Sequence, residues 1–184
     1  MKIVYLDRDG VINKFPGYGD YVKSWEEFEF LPRVPEALKK LKEAGFTVVV
    51  ISNQSGVGRG IYSQGALDEI TGRMKSALAK EGAVIDDVRY CIHASDEQCA
   101  CRKPNTGLFA ELRSLGKDVL DRLYFIGDAR SDIETAKNAG IKSILVLSGR
   151  STILDAEGWE TKPDWIAYDL LDAVQTVILK DRTL

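Results

Sequence analysis

The chain has 184 residues, of which 45% are apolar and 29% charged, and its formal net charge is −3. This composition is typical of a globular protein, and the absence of a basic stripe and of an apolar run near 18 residues argues against nucleic-acid and membrane partners. Because an apolar strand pattern begins at once, without signal-peptide features, we expect a cytoplasmic protein. The length suits one domain over residues 1–184, and we expect that domain to be a monomer.

The first ten residues place two carboxylates at the end of a buried strand. The run 3–6 is entirely apolar, which predicts a strand covered on both faces. Asp7 and Asp9 follow it, and Gly10 allows the backbone to turn. Since residues i and i+2 of an extended segment point the same way, both acids are expected to face one site. A divalent metal such as Mg²⁺ would relieve their repulsion, although an ordinary solvated turn explains these residues equally well when they are taken alone.

The rest of the chain alternates between helix and strand patterns. In chain order, the patterns predict a helix over 35–44, a strand over 46–51, a helix over 63–80, a strand over 88–92, a helix over 106–115, a strand over 123–126, a helix over 131–139, strands over 144–147 and 165–167, and a helix over 170–179. This alternation predicts an α/β fold with a doubly wound, mainly parallel, Rossmann-like sheet. The segments 14–32 and 94–105 break the alternation, and we expect functional loops there.

The other buried strands also lead to residues that suit phosphate chemistry. These residues are Ser52 and Asn53, then Arg102 and Lys103, and finally Asp128 with Asp132 four positions later. In a parallel sheet these strand ends meet at one edge, where they would bring together carboxylates, a hydroxyl and cations. Phosphoryl transfer needs such a set, namely a nucleophile, a metal site and donors around the phosphoryl oxygens.

All the cysteines and the single histidine lie close together in the chain. Cys91, His93, Cys99 and Cys101 have the spacing C-x-H-x5-C-x-C. Three thiolates and one imidazole complete a tetrahedral Zn²⁺ site without an open position, which is the pattern of structural zinc. We therefore predict a small zinc-binding loop over 91–101 that braces Arg102 and Lys103. Three buried cysteines and a surface histidine are the alternative.

The order of these motifs resembles the haloacid-dehalogenase superfamily of phosphatases over nearly the whole chain. Asp7-Arg8-Asp9-Gly10-Val11, Ser52-Asn53, Lys103-Pro104 and Gly127-Asp128-x-x-x-Asp132 match the four motifs of that superfamily in order. The longer strings, with Ser52-Asn53-Gln54-Ser55-Gly56 and the cysteine motif, resemble the subfamily of heptose bisphosphate and histidinol-phosphate phosphatases. The resemblance implies a haloacid-dehalogenase-type fold, here without room for a cap domain.

The resemblance also implies catalytic roles. Asp7 would form an aspartyl phosphate, and Asp9 would protonate the leaving oxygen and then activate water. Mg²⁺ would be held by the carboxylates of Asp7 and Asp128 and by the backbone carbonyl of Asp9. Ser52 and the N–H of Asn53 would bind phosphoryl oxygens, and Lys103 would neutralise charge. Asp132 would support the site from nearby or act as an outer ligand of the metal. The alternative roles are a turn cap for Ser52, a helix N-terminal charge for Asp132 and a solvated lysine for Lys103.

The substrate would be a small phosphorylated molecule. Its predicted contacts are Tyr18, Asn53, Gln54, Ser55, Arg59 and Arg102. Arg59 would bind a second, non-reacting phosphate. A hydrophobic lid residue for Tyr18 and a solvated loop arginine for Arg59 are the alternatives. The subfamily usually has a lysine or arginine directly after the aspartate of its fourth motif, where this chain has Ala129 followed by Arg130. The motifs favour removal of the C7 phosphate of D-glycero-D-manno-heptose 1,7-bisphosphate. The alternatives are histidinol phosphate or another small sugar or alcohol phosphate, a polynucleotide 3′-phosphate, and a non-catalytic zinc-binding module.

Overall fold

The computed structural model describes residues 2–181, which form a six-stranded sheet between helices. The strands are β1 (Ile3–Leu6), β2 (Thr47–Asn53), β3 (Asp87–Cys91), β4 (Tyr124–Gly127), β5 (Lys142–Val146) and β6 (Trp165–Ala167). Their order is β3-β2-β1-β4-β5-β6, and every neighbouring pair is parallel. The predicted doubly wound α/β fold is therefore confirmed.

The helices cover both faces of this sheet. They are α1 (Val34–Glu43), α2 (Gln64–Lys80), α3 (Lys117–Leu120), α4 (Arg130–Ala139), α5 (Ile153–Gly158) and α6 (Leu170–Asp172), with 3₁₀ segments at Trp25–Glu27, Gly107–Ser114 and Ile178–Lys180 and a π turn at Ala173–Val177. No helix within residues 2–181 is both long enough and apolar enough to cross a bilayer.

Strand β1 lies at the centre of the sheet because both of its faces are apolar. Val4 and Leu6 belong to the hydrophobic cluster on one face, while Ile3 and Tyr5 belong to the cluster on the other. The side chains of a strand alternate between the two faces of the sheet, so the all-apolar run fits only a strand covered on both sides. This burial fixes the position at which the chain leaves β1 and enters the segment with Asp7 and Asp9.

Two predicted helices differ from the structure. The predicted helix over 106–115 is a 3₁₀ segment with a kink at Phe109, whose ring packs against Tyr5 and Phe125 at centroid distances of 4.8 and 5.5 Å. The predicted closing helix over 170–179 begins as α6 but continues as a π turn and a 3₁₀ turn. In the first case, tertiary packing of an aromatic ring overrides helical periodicity.

The sheet order creates a crevice between the ends of β1 and β4. The chain runs outward from β1 to β2 and β3, and β4 then pairs with the opposite side of β1. The backbone N–H of Asp7 donates to the carbonyl of Ile126 at 2.9 Å, which holds the two strand ends together. Ligands of open α/β sheets bind at such a switch point. Among residues 2–181, no separate domain is inserted over this crevice, so the prediction of an uncapped fold is confirmed.

Candidate active site

A cavity of about 290 Å³ lies at the crevice, and it collects most of the predicted catalytic residues. Its lining includes Asp7, Asp9, Ser52, Asn53, Arg102, Lys103 and Asp128. Asp7 and Asp128 follow β1 and β4, Ser52 and Asn53 end β2, and Arg102 and Lys103 lie in the loop after β3. The parallel sheet therefore brings together residues that are far apart in sequence.

Lys103 connects two carboxylates at the base of this cavity. Its Nζ lies 2.9 Å from Asp7 Oδ2 and 2.6 Å from Asp132 Oδ1. It also donates to the carbonyl of Ile51 at 3.2 Å. The second oxygen of Asp132 accepts from the backbone N–H of Ala129 at 3.0 Å, at the start of α4. Asp132 is thus both a helix N-terminal charge and a partner of the lysine.

The carboxylate of Asp128 fits into space left by two glycines. A Cβ built on Gly10 or Gly149 would lie 2.1 Å from Asp128 Oδ2, so neither position has room for a side chain. The same oxygen accepts from the backbone N–H of Arg150 at 2.6 Å. Gly10 has a φ of +84°, which also favours glycine. These contacts bring Asp128 close to Asp7.

The electrostatics of this cluster favour a divalent cation. Asp7, Asp128 and Asp132 are all buried, and each offers a carboxylate oxygen within 4.8 Å of the others. Burial raises the pKa of Asp7 to about 6, although the positive charge of Lys103 acts to lower it. Burial, together with the negative charges of Asp132 and Asp7, raises the pKa of Asp128 well above its usual value. Because Lys103 is the one ammonium group that contacts these carboxylates among the described residues, the cluster has unbalanced negative charge. An oxygen-only donor set of this kind suits Mg²⁺.

The carboxylate of Asp9 also lines the cavity, but its partners are different. Arg8 donates to Oδ1 from Nε at 3.1 Å and from Nη2 at 2.9 Å, and Nη2 also reaches Oδ2 at 3.1 Å. Asn13 Nδ2 donates to Oδ1 at 2.9 Å, and Gln54 Nε2 donates to Oδ2 at 2.8 Å. The two aspartates therefore share one cavity while each belongs to its own ion-pair network.

Asn53 holds the lysine loop against β2. Its Oδ1 accepts from the backbone N–H of Lys103 at 3.0 Å, and its Nδ2 donates to the carbonyl of Lys103 at 3.3 Å. Ser52 is 2% exposed, and its Oγ accepts from Gln54 at 3.1 Å. Both residues also line the cavity, where their remaining polar groups can face a ligand.

Four of the predicted substrate contacts lie outside the cavity lining. Gln54 is 1% exposed and lies behind Asp9, and the buried Ser55 pairs with the hydroxyl of Tyr21 at 3.2 Å. Arg59 donates to Ser95 Oγ at 2.6 Å, which ties it to the cysteine loop. Tyr18 is exposed and borders a neighbouring cavity of about 390 Å³. Of the predicted contacts, Asn53 and Arg102 alone line the cavity at the crevice among the described residues.

Sequence reasoning missed two arginines at this site. Arg8 is 0% exposed and forms the ion pair with Asp9, and no role was predicted for it from the sequence. Arg150 follows β5, lines the cavity at the crevice and places its guanidinium 5.0 Å from the ring centroid of Tyr18. The only sequence signal for Arg150 was that it, too, follows a strand end.

The cysteine loop brings its four candidate ligands together. The ligand atoms of Cys91, His93, Cys99 and Cys101 all lie within 4.8 Å of one another. The hydrogen-bonded pairs among them are 3.1–3.6 Å apart. A tetrahedral site with bonds of about 2.3 Å separates its ligand atoms by roughly 3.7 Å, so the donor set and its spacing fit Zn²⁺.

Comparison with known proteins identifies similar sequences along the whole chain. A HAD-hydrolase-like family model matches residues 100–173. The D-glycero-β-D-manno-heptose-1,7-bisphosphate 7-phosphatase of Pseudomonas aeruginosa is 34% identical over 97% of this chain and 98% of its own length. The enzyme of the same name from Haemophilus ducreyi is 36% identical over 96% of this chain and 98% of its own.

Solved structures of similarly named enzymes also match this chain. The crystal structure of D,D-heptose 1,7-bisphosphate phosphatase from B. bronchiseptica, complexed with magnesium and phosphate, matches with a TM-score of 0.85 at 33% identity and covers 98% of this chain and 100% of that one. The corresponding enzyme of Burkholderia thailandensis matches with a TM-score of 0.72 at 30% identity over 98% and 100%.

The fold and the carboxylate–lysine cluster thus define a hydrolase fold of the HAD-like class. The extent and identity of the matches then narrow this class. The chain belongs to the D-glycero-D-manno-heptose 1,7-bisphosphate phosphatase family.

Proposed function

We propose that this protein is a Mg²⁺-dependent phosphomonoesterase that removes the C7 phosphate of D-glycero-D-manno-heptose 1,7-bisphosphate. The observation that supports the chemistry best is Lys103 Nζ between Asp7 and Asp132, in a cavity that Asp9 and Asp128 also line. The substrate is proposed from the relatives described above, whose names specify this bisphosphate. The histidinol-phosphate alternative has no comparable support from them.

Asp7, Asp128 and the backbone carbonyl of Asp9 would hold the Mg²⁺ ion. Both oxygens of Asp132 are already engaged, one by Lys103 and one by the N–H of Ala129, so we assign Asp132 to positioning the lysine. When bound, Mg²⁺ neutralises the clustered carboxylates and the charge on the phosphoryl group. Both effects allow an anionic nucleophile and an anionic substrate to approach each other.

In the first step, a carboxylate oxygen of Asp7 attacks phosphorus and the bond from phosphorus to the sugar oxygen breaks. Asp9 gives a proton to that oxygen, so the sugar leaves as an alcohol. Lys103 offsets the charge of Asp7, and Ser52 with the N–H of Asn53 donates to the phosphoryl oxygens. In the second step, water attacks phosphorus, gives a proton to Asp9 and releases phosphate from Asp7.

Arg102 and Arg150 are our candidates for holding the phosphate that does not react. Both line the cavity, and within residues 2–181 neither is within ion-pair distance of a carboxylate. Arg130 instead pairs with Glu134 on α4 at 2.6 Å. It is therefore a weaker candidate to replace the lysine or arginine that the subfamily usually has at the position of Ala129. A free guanidinium binds phosphate through paired N–H donors.

We also propose that Cys91, His93, Cys99 and Cys101 bind a structural Zn²⁺ ion. The loop that carries them leads directly into Arg102 and Lys103, and Asn105 Nδ2 donates to the carbonyl of Cys99 at 2.8 Å. A closed four-ligand site would hold this loop in place without taking part in the chemistry. The monomeric state and the cytoplasmic location stay predictions.

A comparison of substrates tests the proposed function. Purified protein with Mg²⁺ is given heptose 1,7-bisphosphate, histidinol phosphate or a short 3′-phosphorylated DNA, and released phosphate is measured. We expect kcat/KM for the heptose to exceed the others by about 100-fold or more, because a site that pairs with substrate polar groups discriminates strongly. A preference for histidinol phosphate or DNA would overturn the substrate, and no turnover of any of them would contradict the proposed activity.

A further inference from the structure

We propose that Arg8, Gln54 and Tyr62 form a buried positioning set that orients Asp9 for the step in which the aspartyl phosphate is hydrolysed. The inference rests on the proposed function, since it concerns how Asp9 performs its second task. These three residues have no assigned role in the chemistry described above. They contact one another and, through Arg8 and Gln54, the carboxylate of Asp9.

Arg8 is the central member of this set. It is 0% exposed, its Nη2 is shared between Asp9 and Gln54 Oε1, the latter at 3.0 Å, and its guanidinium carbon lies 5.7 Å from the ring centroid of Tyr90. A guanidinium without access to water is costly unless a carboxylate compensates its charge. Asp9 is the carboxylate that pairs with it, so the position of Arg8 constrains the position of Asp9.

Gln54 constrains the other oxygen of Asp9. Its Nε2 donates to Asp9 Oδ2 at 2.8 Å, while its Oε1 accepts from Arg8 and from the hydroxyl of Tyr62 at 2.7 Å. Arg8 therefore fixes which end of the Gln54 amide faces Asp9, because a guanidinium can only donate, and the hydroxyl of Tyr62 adds a second donor to the same oxygen. With this orientation, the NH₂ end must point to the carboxylate.

None of the three residues lines the cavity, so they act through the cavity residues to which their side chains hydrogen-bond, which are Asp9 and, for Gln54, also Ser52. Gln54 and Tyr62 are 1% and 8% exposed. Within residues 2–181, Arg8, Asn13 and Gln54 donate to the two oxygens of Asp9, which fixes the orientation of this carboxylate. That orientation matters when water attacks phosphorus: water gives its proton to Asp9, the bond between Asp7 and phosphorus breaks, and phosphate leaves.

The isosteric substitution Gln54→Glu tests this proposal. It keeps the shape of the side chain and its acceptor for Arg8 and Tyr62, but it replaces the amide donor that faces Asp9, and that also reaches Ser52, with an acceptor. We expect kcat to fall by about 100-fold, the scale of a misplaced catalytic group, with KM within about twofold of wild type. In rapid-quench experiments the phosphorylated enzyme should accumulate as a burst, because its hydrolysis becomes rate-limiting.

Tyr62→Phe provides a graded second variant, because it removes one hydrogen bond and leaves the amide of Gln54 in place. We expect it to lower kcat by about fivefold, which corresponds to the loss of one ordinary hydrogen bond. Gln64→Glu makes the same chemical change on the exposed surface of α2, where Gln64 donates to Asp68, and should match wild type. Each variant is assayed on heptose 1,7-bisphosphate and on p-nitrophenyl phosphate, so that a wrong substrate does not hide the result.

Three results would overturn the positioning role. They are a Gln54→Glu enzyme with raised KM and normal kcat, one with normal values of both, and one with reduced kcat but no accumulated phosphoenzyme. Asp9→Asn separates this inference from the proposed function. If Asp9→Asn retains wild-type turnover, the assigned role of Asp9 fails; if it is inactive while Gln54→Glu is normal, only the positioning role fails.

Discussion

Asp7 and Asp9 lie two positions apart, yet the structure gives them opposite surroundings. Asp7 pairs with Lys103 inside a group of buried carboxylates, and burial raises its pKa to about 6. Asp9 receives hydrogen bonds from a guanidinium and two amides. Different environments give chemically identical side chains different tasks, and this division suits one nucleophile and one proton carrier.

We predict that the ion pair of Asp9 with Arg8 stabilises the folded protein. Asp9→Ala should lower the free energy of unfolding by about 3 kcal/mol, because it leaves a fully buried guanidinium without its carboxylate. The double variant Arg8→Met/Asp9→Ala should recover part of this loss. Urea denaturation of the metal-free proteins measures both values.

Asp68→Ala, which removes an exposed aspartate on α2, is the matched control for this experiment. It should change the unfolding free energy by less than about 0.5 kcal/mol. If Asp9→Ala is as stable as this control, or if the double variant is no more stable than Asp9→Ala, Arg8 and Asp9 are not coupled as described.

At the scale of elements, the loop after β3 carries both the cysteine cluster and Lys103. Asn53 at the end of β2 accepts from the backbone N–H of Lys103, and the four residues of the cysteine cluster come together within the loop itself. Lys103 is therefore placed by contacts along the loop and across to the sheet. The same arrangement accounts for the position of Arg102, which has no carboxylate partner among the described residues.

We predict that loss of zinc weakens substrate binding through this loop. Cys99→Ser, or extraction of zinc followed by return of Mg²⁺, should raise KM by about tenfold or more, in line with the loss of groups that support a site. Metal analysis, substrate kinetics and limited proteolysis of the loop measure the effect. A zinc-free protein with unchanged KM and a protected loop would contradict this role.

At the scale of the whole molecule, the sequence predicted the six strands and the edge at which they converge. Apolar runs such as 3–6 and 46–51 identify strands buried on both faces, and the residues after them lie at the site because the sheet is parallel. Short helices were not predicted. Helix α5, for example, has six residues and begins at a capping box of Thr152 and Asp155, so it is too short to show a helical period.

The contacts behind the site could not be read from the sequence. Arg8 and Gln54 are 46 positions apart, and no periodic pattern indicates that they meet. Gln54 follows a strand whose end faces the site, which predicted a substrate contact, but its side chain turns inward to Asp9. Long-range polar pairing depends on the packed fold, so local patterns find the lining of the cavity better than the residues that support it.

The proposed mechanism requires that Asp7 becomes phosphorylated during turnover. Enzyme mixed with Mg²⁺ and heptose 1,7-bisphosphate is quenched in acid within one turnover, and the phosphorylated peptide is located by mass spectrometry. We expect a phosphoryl group on Asp7 that is absent from Asp7→Asn, a variant that should stay folded and inactive. Rapid turnover by Asp7→Asn, or phosphate release without any phosphorylated Asp7, would contradict it.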